Sequence, residues 1–143
     1  MKIEEILRFK GDEVITIAES QSVLDAVQVL VDRNIGGLVV TEGQRPTGIF
    51  TERDILRLAA RGPEQLASIL VGTVMTRDMI TASPQDDLAE IMDAMTENRI
   101  RHLPVIVGEE LAGIISIGDV VNAHVGESEF EIRMLKDYVQ GRT

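Results

Sequence analysis

Two short stretches of the chain carry the residue types that could do chemistry. Residues 48–54 read GIFTERD, and residues 113–119 read GIISIGD. In each stretch, a hydroxyl residue is followed three positions later by an aspartate. A hydroxyl group can cap a helix or donate to a phosphate, and a carboxylate can accept two hydrogen bonds, as from the vicinal diol of a ribose. The pattern therefore predicts two helix caps, two halves of a ligand site, or both.

The capping interpretation needs no ligand. Thr51 with Asp54, and Ser116 with Asp119, have the spacing of a relative of the capping box, and an acid in the first turn complements the helix dipole. The ligand interpretation uses the same geometry. A strand that runs straight into a helix leaves the first N–H groups of that helix free to bind an anion beside the hydroxyl. From the residues alone, the two interpretations stand level.

Both stretches belong to a longer duplication. Shifted by 65 positions without gaps, residues 15–56 align with residues 80–121. Each copy predicts a strand, a helix, a hairpin and a second helix. The predicted strands are 14–17, 37–41 and 46–51 in the first copy and 79–82, 102–107 and 111–116 in the second; the predicted helices are 22–33, 52–61, 87–98 and 117–125.

This order of elements predicts an α+β fold built from two β-α-β-β-α repeats. A unit of about 50 residues buries too little surface to be stable alone, so we expect the two repeats to pack as a pseudo-twofold pair with a cleft between them. The predicted domains are a first repeat, a linker, a second repeat and a C-terminal helical tail, at 1–62, 63–72, 73–125 and 126–143.

Composition narrows the class of protein. The chain has 24 acidic and 14 basic residues, a formal charge of −10 that argues against duplex nucleic acid as a partner. It has no cysteine, and no apolar run reaches the ~18–20 residues of a membrane span. The charged N-terminal stretch lacks the apolar core of a signal peptide, so we expect a cytoplasmic protein that does not engage a membrane. The motifs of common enzyme classes and metal sites are missing, so we expect neither an enzyme nor a metal or catalytic cofactor.

The duplicated unit, the repeated G-x-x-[ST]-x-x-D stretch and the segment RIRHLPVI at 99–106 resemble the CBS-domain pair, a family named after cystathionine β-synthase. The resemblance covers roughly residues 2–125. It implies an adenosine-containing ligand in the cleft, namely AMP, ADP or ATP, with S-adenosylmethionine or NAD as alternatives. It also implies that Asp54 and Asp119 hold the ribose beside Thr51 and Ser116. The residues implied to contact the base or line the pocket are Ile35, Gly36, Ile49, Ile100, Arg101 and Ile114.

The two copies differ where charge matters. The second copy has Arg101-His102 where the first has Gly36-Gly37, and the first has Arg53 where the second has Gly118. The resemblance implies that the basic pair reaches the phosphates of a ligand whose ribose is held by the other repeat. We therefore expect one preferred site, built from Thr51, Arg53, Asp54, Arg101 and His102, and a weaker second site at Ser116 and Asp119.

These observations predict a stand-alone regulatory module with an adenine nucleotide as its regulatory ligand and a separate protein as its target. The resemblance also implies a homodimer formed through helices. An apolar stripe of the tail, Phe130, Met134 and Tyr138, is available to pack on the module or on a second subunit. The alternative is a ligand-free dimerisation scaffold in which both aspartates act only as helix caps.

Overall fold

The computed structural model describes residues 1–11 and 13–140. The α+β class is confirmed. The helices are α1 Ile3–Lys10, α2 Val23–Arg33, α3 Glu52–Arg61, α4 Val71–Val74, α5 Leu88–Asn98 and α6 Ile117–Val139, with a short 3-10 turn at Pro63–Gln65. The strands are β1 Thr16–Ala18, β2 Gly37–Glu42, β3 Arg45–Thr51, β4 His102–Val107 and β5 Glu110–Ser116.

The two hairpins have the same construction. β2 pairs antiparallel with β3, and β4 pairs antiparallel with β5, and in both ladders the register shifts at the equivalent position, after Val40 and after Val105. Gly43 and Gly108 open the two tight turns with the same φ of 64°, a left-handed backbone conformation that glycine adopts without steric cost. The duplication in the sequence is therefore a duplication of backbone geometry.

The first strand of each repeat shows where the copies diverge. β1 pairs parallel with β2, and the N–H of Glu19 donates to the carbonyl of Thr41 at 3.0 Å. The strand predicted at 79–82 is wrong in length, because it is reduced to a single bridge between Ala82 and Val105. Pro84 stands at the position equivalent to Glu19, and a proline has no N–H with which to extend the ladder.

The helices that precede the repeats are exchanged between them. Ile3 and Ile6 of α1 are buried in the hydrophobic core of the second repeat, and the N–H of Ile3 donates to the carbonyl of Asp86 at 3.0 Å. Conversely, Val71 of α4 lies in the core of the first repeat, where its N–H donates to the carbonyl of Gln21 at 2.8 Å. The segment that opens the predicted first repeat therefore packs with the second repeat.

The predicted linker, 63–72, contributes to a core rather than only joining two units. Leu66 and Ile69 pack against the core of the first repeat, and the N–H of Val23 donates to the carbonyl of Ile69 at 2.8 Å. The hydrophobic core of each repeat is thus completed by segments that lie outside the aligned duplication. The two repeats meet through β3 and β5.

α6 crosses the predicted boundary between repeat and tail without a break. Val120 is buried in the core of the second repeat and Ala123 packs against it, whereas beyond Gly126 most side chains are exposed. Phe130, Met134 and Tyr138 are exposed, so this stripe does not pack on the module itself. Residues 141–143 of the predicted tail lie outside the described residues. None of the described helices has the length and apolarity needed to cross a membrane.

Candidate functional site

A cavity of about 480 Å³ lies between the two repeats, and we call it the inter-repeat pocket. This volume falls within the ~300–1,000 Å³ that is usual for small-molecule sites. The first repeat and the segment before it contribute Lys10, Glu13, Ile15, Asn34, Ile35, Gly36, Gly37 and Glu52; the second repeat contributes Arg101, His102, Ile114, Ser116, Ile117, Gly118 and Asp119.

The walls of the inter-repeat pocket combine apolar surface with charge. Both repeats contribute isoleucines, namely Ile15 and Ile35 from the first and Ile114 and Ile117 from the second. Branched aliphatic side chains from two sides can enclose a flat ring, such as a nucleobase, and exclude water from its faces. The charged lining residues are Lys10, Glu13, Glu52, Arg101 and Asp119.

His102 packs across the cleft on the backbone of the first repeat. A methyl group added at Gly37 would come within 2.9 Å of His102 Cγ, and one added at Gly36 would come within 3.2 Å of His102 Cε1. The two glycines therefore leave the space that the imidazole ring occupies. Burial lowers the pKa of His102 below its usual value, although Glu52 and Asp119 act in the opposite direction. The ring is therefore neutral at pH 7, where it can still donate one hydrogen bond.

Asp119 is held at the start of α6 by the second G-x-x-[ST]-x-x-D stretch. Its Oδ2 accepts a hydrogen bond from the N–H of Ser116 at 2.9 Å, and its own N–H donates to Ser116 Oγ at 3.2 Å. The register of the hairpin places this cap beside the basic pair, because His102 lies opposite Ser116 and the N–H of Ile117 donates to the carbonyl of Arg101 at 2.8 Å. The predicted capping role is confirmed at this position.

Lys10 reaches the inter-repeat pocket from the last turn of α1. Its Nζ donates to Asp119 Oδ2 at 2.7 Å and to the carbonyl oxygen of Ile114 at 2.7 Å. Burial raises the pKa of Asp119, but the hydrogen bonds from Lys10 and Ser116 outweigh it and hold that pKa below the usual value. Asp119 is therefore ionised at neutral pH, with a cation beside it.

Asp54 has the equivalent position in the first repeat but different surroundings. Its Oδ2 accepts hydrogen bonds from the N–H of Thr51 at 2.9 Å and from Thr51 Oγ1 at 3.4 Å, so the predicted cap is also present here. The strand edge before this cap is occupied, because Ile49 and Thr76 exchange two backbone hydrogen bonds of 2.9 Å, whereas the carbonyl of the equivalent Ile114 accepts from Lys10 Nζ. Asp54 does not line the inter-repeat pocket.

The family follows from a direct comparison. A model of the CBS domain matches residues 4–61 and, a second time, residues 71–126. The chain belongs to the CBS-domain family. The CBS-domain-containing protein CBSX3, a mitochondrial protein of Arabidopsis thaliana, is 38% identical over 148 residues, which span 97% of this chain and 72% of that protein.

Solved structures agree with the fold. The CBS-domain-containing protein ATU1752 from Agrobacterium tumefaciens superposes with a TM-score of 0.83 at 35% identity, over 87% of this chain and 99% of its own. The CBS-domain pair of protein MJ0100, solved with 5′-methylthioadenosine and S-adenosyl-L-methionine, gives a TM-score of 0.79 over 89% of this chain and 98% of its own. At 23% identity, MJ0100 supports the fold alone.

The structure divides the predicted site residues of this CBS-domain pair into two groups. Seven of them line the inter-repeat pocket: Ile35, Gly36, Arg101, His102, Ile114, Ser116 and Asp119. The other five do not line it: Ile49, Thr51, Arg53, Asp54 and Ile100. Ile100 instead packs against the core of the second repeat.

The predicted combination of Asp54 with Arg101 and His102 in one preferred site is therefore not what the structure assembles. The basic pair shares its cavity with Asp119, because β4 and β5 hold the two ends of the same hairpin together. Arg53, expected to join the basic pair, lies outside that cavity as well. The site expected to be the weaker one thus receives the basic residues.

Sequence reasoning missed Lys10, Glu13 and Glu52, all of which line the inter-repeat pocket. Lys10 and Glu13 precede the aligned duplication, and nothing in the alignment says which repeat such a segment joins. Glu52 is the first residue of α3 and its N–H donates to the carbonyl of Gly36 at 3.0 Å, which brings it to the cleft. Its position directly after Thr51 was the available signal. The described residues contain no group of side chains able to hold a metal ion.

Proposed function

We propose that this CBS-domain pair is a regulatory module that binds an adenine nucleotide in the inter-repeat pocket. In this proposal Asp119 is the ribose clamp, and the ligand acts as a signal rather than as a catalytic cofactor. The observation that carries the proposal is the shared cavity of Asp119, Arg101 and His102, walled by isoleucines of both repeats.

One carboxylate oxygen of Asp119 is available to a ribose. The hydrogen bonds from Ser116 and Lys10 all reach Oδ2. Oδ1 therefore has no hydrogen-bond partner among the described residues, and a carboxylate oxygen with free lone pairs accepts readily from a hydroxyl. A vicinal diol donates two such bonds, so it can use Oδ1 and replace the Lys10 ammonium on Oδ2. That exchange frees a cation inside the same cavity.

The cations that line the inter-repeat pocket are available to a phosphate. Within the described residues Arg101 forms no ion pair, and Lys10 is released when a diol takes its place on Asp119. The N-terminus of α6 also borders the cavity through Ile117 and Gly118, and a helix N-terminus favours anions. These groups favour a phosphate over the sulfonium of S-adenosylmethionine. AMP, ADP and ATP are thus preferred to the adenosyl ligands named for MJ0100.

Ligand binding would regulate another protein only if the ligand prefers one arrangement of the two repeats. Because the pocket is lined by residues of both repeats and of α1, an occupant contacts all three segments at once. A ligand with that contact pattern stabilises one relative placement of the repeats and thereby changes the surface offered to a regulated protein. That protein is a separate chain in this proposal.

The test is isothermal titration calorimetry of the full chain with AMP, ADP and ATP, with 2′-deoxy-AMP, S-adenosylmethionine and NAD for comparison. Asp119→Asn keeps an oxygen that can accept the N–H of Ser116, but it removes the charge that holds the diol. Hydrogen bonds to charged groups contribute ~1.5–3 kcal/mol, so the affinity for the best nucleotide should fall by about 10- to 100-fold.

Asp54→Asn is the matched control, because it makes the same change in the same type of cap outside the cavity. Its nucleotide affinity should stay within about twofold of the wild type. Equal losses in the two variants would contradict the assignment of the site to Asp119. A 2′-deoxy ligand that binds as tightly as AMP would contradict the diol clamp.

A ligand-free scaffold is the second candidate, and one observation favours it. Both aspartates form helix caps, which accounts for the repeated G-x-x-[ST]-x-x-D stretch without any ligand. The same titrations decide between the two functions. If no heat is released by any of these adenosine compounds at millimolar concentration, the scaffold stands and the nucleotide proposal falls.

A further inference from the structure

His102 is a titratable group in the cleft, held between the two repeats. Its ring packs on Gly36 and Gly37 of the first repeat, which have no side chains to displace it. A methyl group built on Gly36 would lie 3.2 Å from His102 Cε1 and 3.0 Å from Glu52 Oε1, so the imidazole and this carboxylate converge on the same backbone position. The ring therefore lies beside an acid of the other repeat and also lines the inter-repeat pocket.

Four charged groups from different parts of the chain face the imidazole. Glu52 of α3 and Asp119 of α6 favour its protonated form, whereas Lys10 of α1 and the neighbouring Arg101 oppose it. There are two charges of each sign, and burial, the largest influence, decides in favour of the neutral ring. Neither ring nitrogen forms a hydrogen bond within the described residues, and neither is sealed away from the cavity. Both nitrogens are therefore open to a proton or a ligand.

An anion in the inter-repeat pocket changes this balance of charge around the ring. A neutral imidazole donates one hydrogen bond, so it cannot donate to Glu52 and to an anion at the same time, whereas an imidazolium donates two. Phosphate oxygens also add negative charge to a cavity in which the charges facing the ring are otherwise matched. An opposite charge within ~4–6 Å favours the charged form of a titratable group. Protonated His102 is therefore the form that an anionic ligand selects.

We propose that the inter-repeat pocket takes up its anionic ligand together with one proton, which His102 holds between Glu52 and the ligand. One imidazolium N–H donates to the Glu52 carboxylate, and the other donates to an oxygen of the anion. The proton comes from the solvent, and the only bond that forms is its bond to the ring nitrogen. This inference rests on the proposed function for the identity of the ligand. It requires only an anion in the pocket, however, so the two can fail separately.

Proton binding and ligand binding are then coupled in both directions. If the anion raises the pKa of His102 tenfold in proton affinity, the protonated protein binds the anion about tenfold more tightly than the neutral one. Burial lowers the pKa of His102 before the anion binds, so the ligand-free ring is neutral at pH 7. Ligand affinity should therefore rise as the pH falls from about 8 to about 6. The regulatory output of the module would depend on acidity as well as on the nucleotide.

NMR titration of the histidine ring protons tests the proton directly. The chain has two histidines, so His124→Gln leaves one imidazole signal and assigns it. The probes are AMP and inorganic pyrophosphate, and each should move the titration of His102 to higher pH by about one unit. If AMP binds without moving it, or if neither anion moves it, the proposal is overturned. If pyrophosphate moves it but no adenosine compound binds, the proton uptake stands and the nucleotide function falls.

Calorimetry with AMP at pH 7, in buffers of different ionisation enthalpy, counts the protons taken up on binding. A phosphate group itself titrates near pH ~6, so the wild type is compared with His102→Gln under the same conditions. The variant should take up about 0.2–0.5 proton fewer, because glutamine can donate a hydrogen bond but does not titrate. Equal proton uptake by the two proteins would assign the proton to another group and overturn the proposal.

Glu52→Gln tests the acceptor of the second hydrogen bond, and Glu13→Gln is its matched control. Both carboxylates line the inter-repeat pocket, and both changes remove one negative charge. Glu13 pairs with Arg33 at 2.9 Å, its side chain is 74% exposed, and it is not among the charges that act on His102. Glu52→Gln should therefore lower the proton uptake toward that of His102→Gln, whereas Glu13→Gln should leave it unchanged. The same uptake in both glutamate variants would refute the bridge from Glu52 through His102 to the anion.

Discussion

Lys10→Met removes the ion pair that Lys10 and Asp119 form in the wall of the inter-repeat pocket. Methionine is unbranched and flexible like lysine, so the change removes the ammonium group and keeps most of the aliphatic side chain. The variant loses the hydrogen bonds from Lys10 Nζ to Asp119 Oδ2 and to the carbonyl of Ile114, both 2.7 Å long. Asp119 then keeps its cap but has no cation beside it.

The expected loss of stability follows from the exposure of the pair. The Lys10 and Asp119 side chains are 32% and 24% exposed, between a surface pair and a buried one. Exposed ion pairs contribute ~0–1 kcal/mol, and hydrogen bonds to charged groups contribute ~1.5–3 kcal/mol. We therefore expect the free energy of unfolding to fall by about 1–2 kcal/mol at pH 7, which for a chain of this size lowers Tm by about 2–8 °C.

The loss should depend on pH in a defined direction. In the wild type the pKa of Asp119 is lowered, so its ionised form contributes stability above the ordinary aspartate pKa. That contribution disappears as the pH falls through the lowered pKa of the folded state. In Lys10→Met burial of Asp119 persists without the compensating cation, so its pKa should rise. The difference in stability between the two proteins should therefore shrink toward low pH.

Thermal unfolding between pH 7 and pH 3, together with a carboxyl-detected NMR titration of Asp119, measures both effects. Lys2→Met is the control, because it removes an ion pair of 3.1 Å to Asp87 whose side chains are about half exposed. That variant should lose no more than ~0.5 kcal/mol. If Lys10→Met costs no more than Lys2→Met, or if its cost stays constant from pH 7 to pH 3, the assignment of Lys10 as the partner of a half-buried carboxylate is refuted.

Two further predictions concern packing and protonation. Gly48→Ala places a methyl group within 2.6 Å of Met75 Sδ and 2.8 Å of the Thr76 carbonyl. Chemical denaturation should therefore show that the free energy of unfolding falls by ~1–3 kcal/mol. Gly126→Ala is the control, because its methyl group enters open space within a helix, and it should raise the free energy of unfolding by ~0.5–1 kcal/mol. Because the pKa of His102 is lowered in the folded state, the wild type should lose stability relative to His102→Gln as the pH falls from about 7 to 5, and parallel pH curves for the two proteins would contradict this.

The sequence predicted the repeating parts of the fold because they depend on local chemistry. Glycine at the two hairpin turns and the hydroxyl-aspartate spacing at the two caps act within a few residues, and the structure contains all of them. The short first strand of the second repeat also has a local cause, Pro84, which the alignment set opposite Glu19. A proline at this position removes the N–H that would extend the ladder.

The exchange of α1 and α4 could not be predicted from the same pattern. Two similar cores offer two similar docking faces, and the sequence of a short amphipathic helix does not say which one it joins. Lys10 was missed for this reason, since it reaches Asp119 only because α1 packs on the second repeat. Arg101 and Asp119 share one cavity for a different reason, because the register of the β4–β5 hairpin sets His102 opposite Ser116.

Because α6 is unbroken, a small movement of its first turn at the inter-repeat pocket displaces its far end by a larger distance. Its first turn carries Asp119 in the cavity wall, and its last turn carries Val139, twenty residues further along the same rod. At 1.5 Å per residue that separation is about 30 Å. A tilt of the first turn by about 5° would displace the far end by roughly 2.6 Å over this length. The helix thus has the geometry of a lever arm, whose first turn lies in the wall of the inter-repeat pocket and whose last turn lies in solvent.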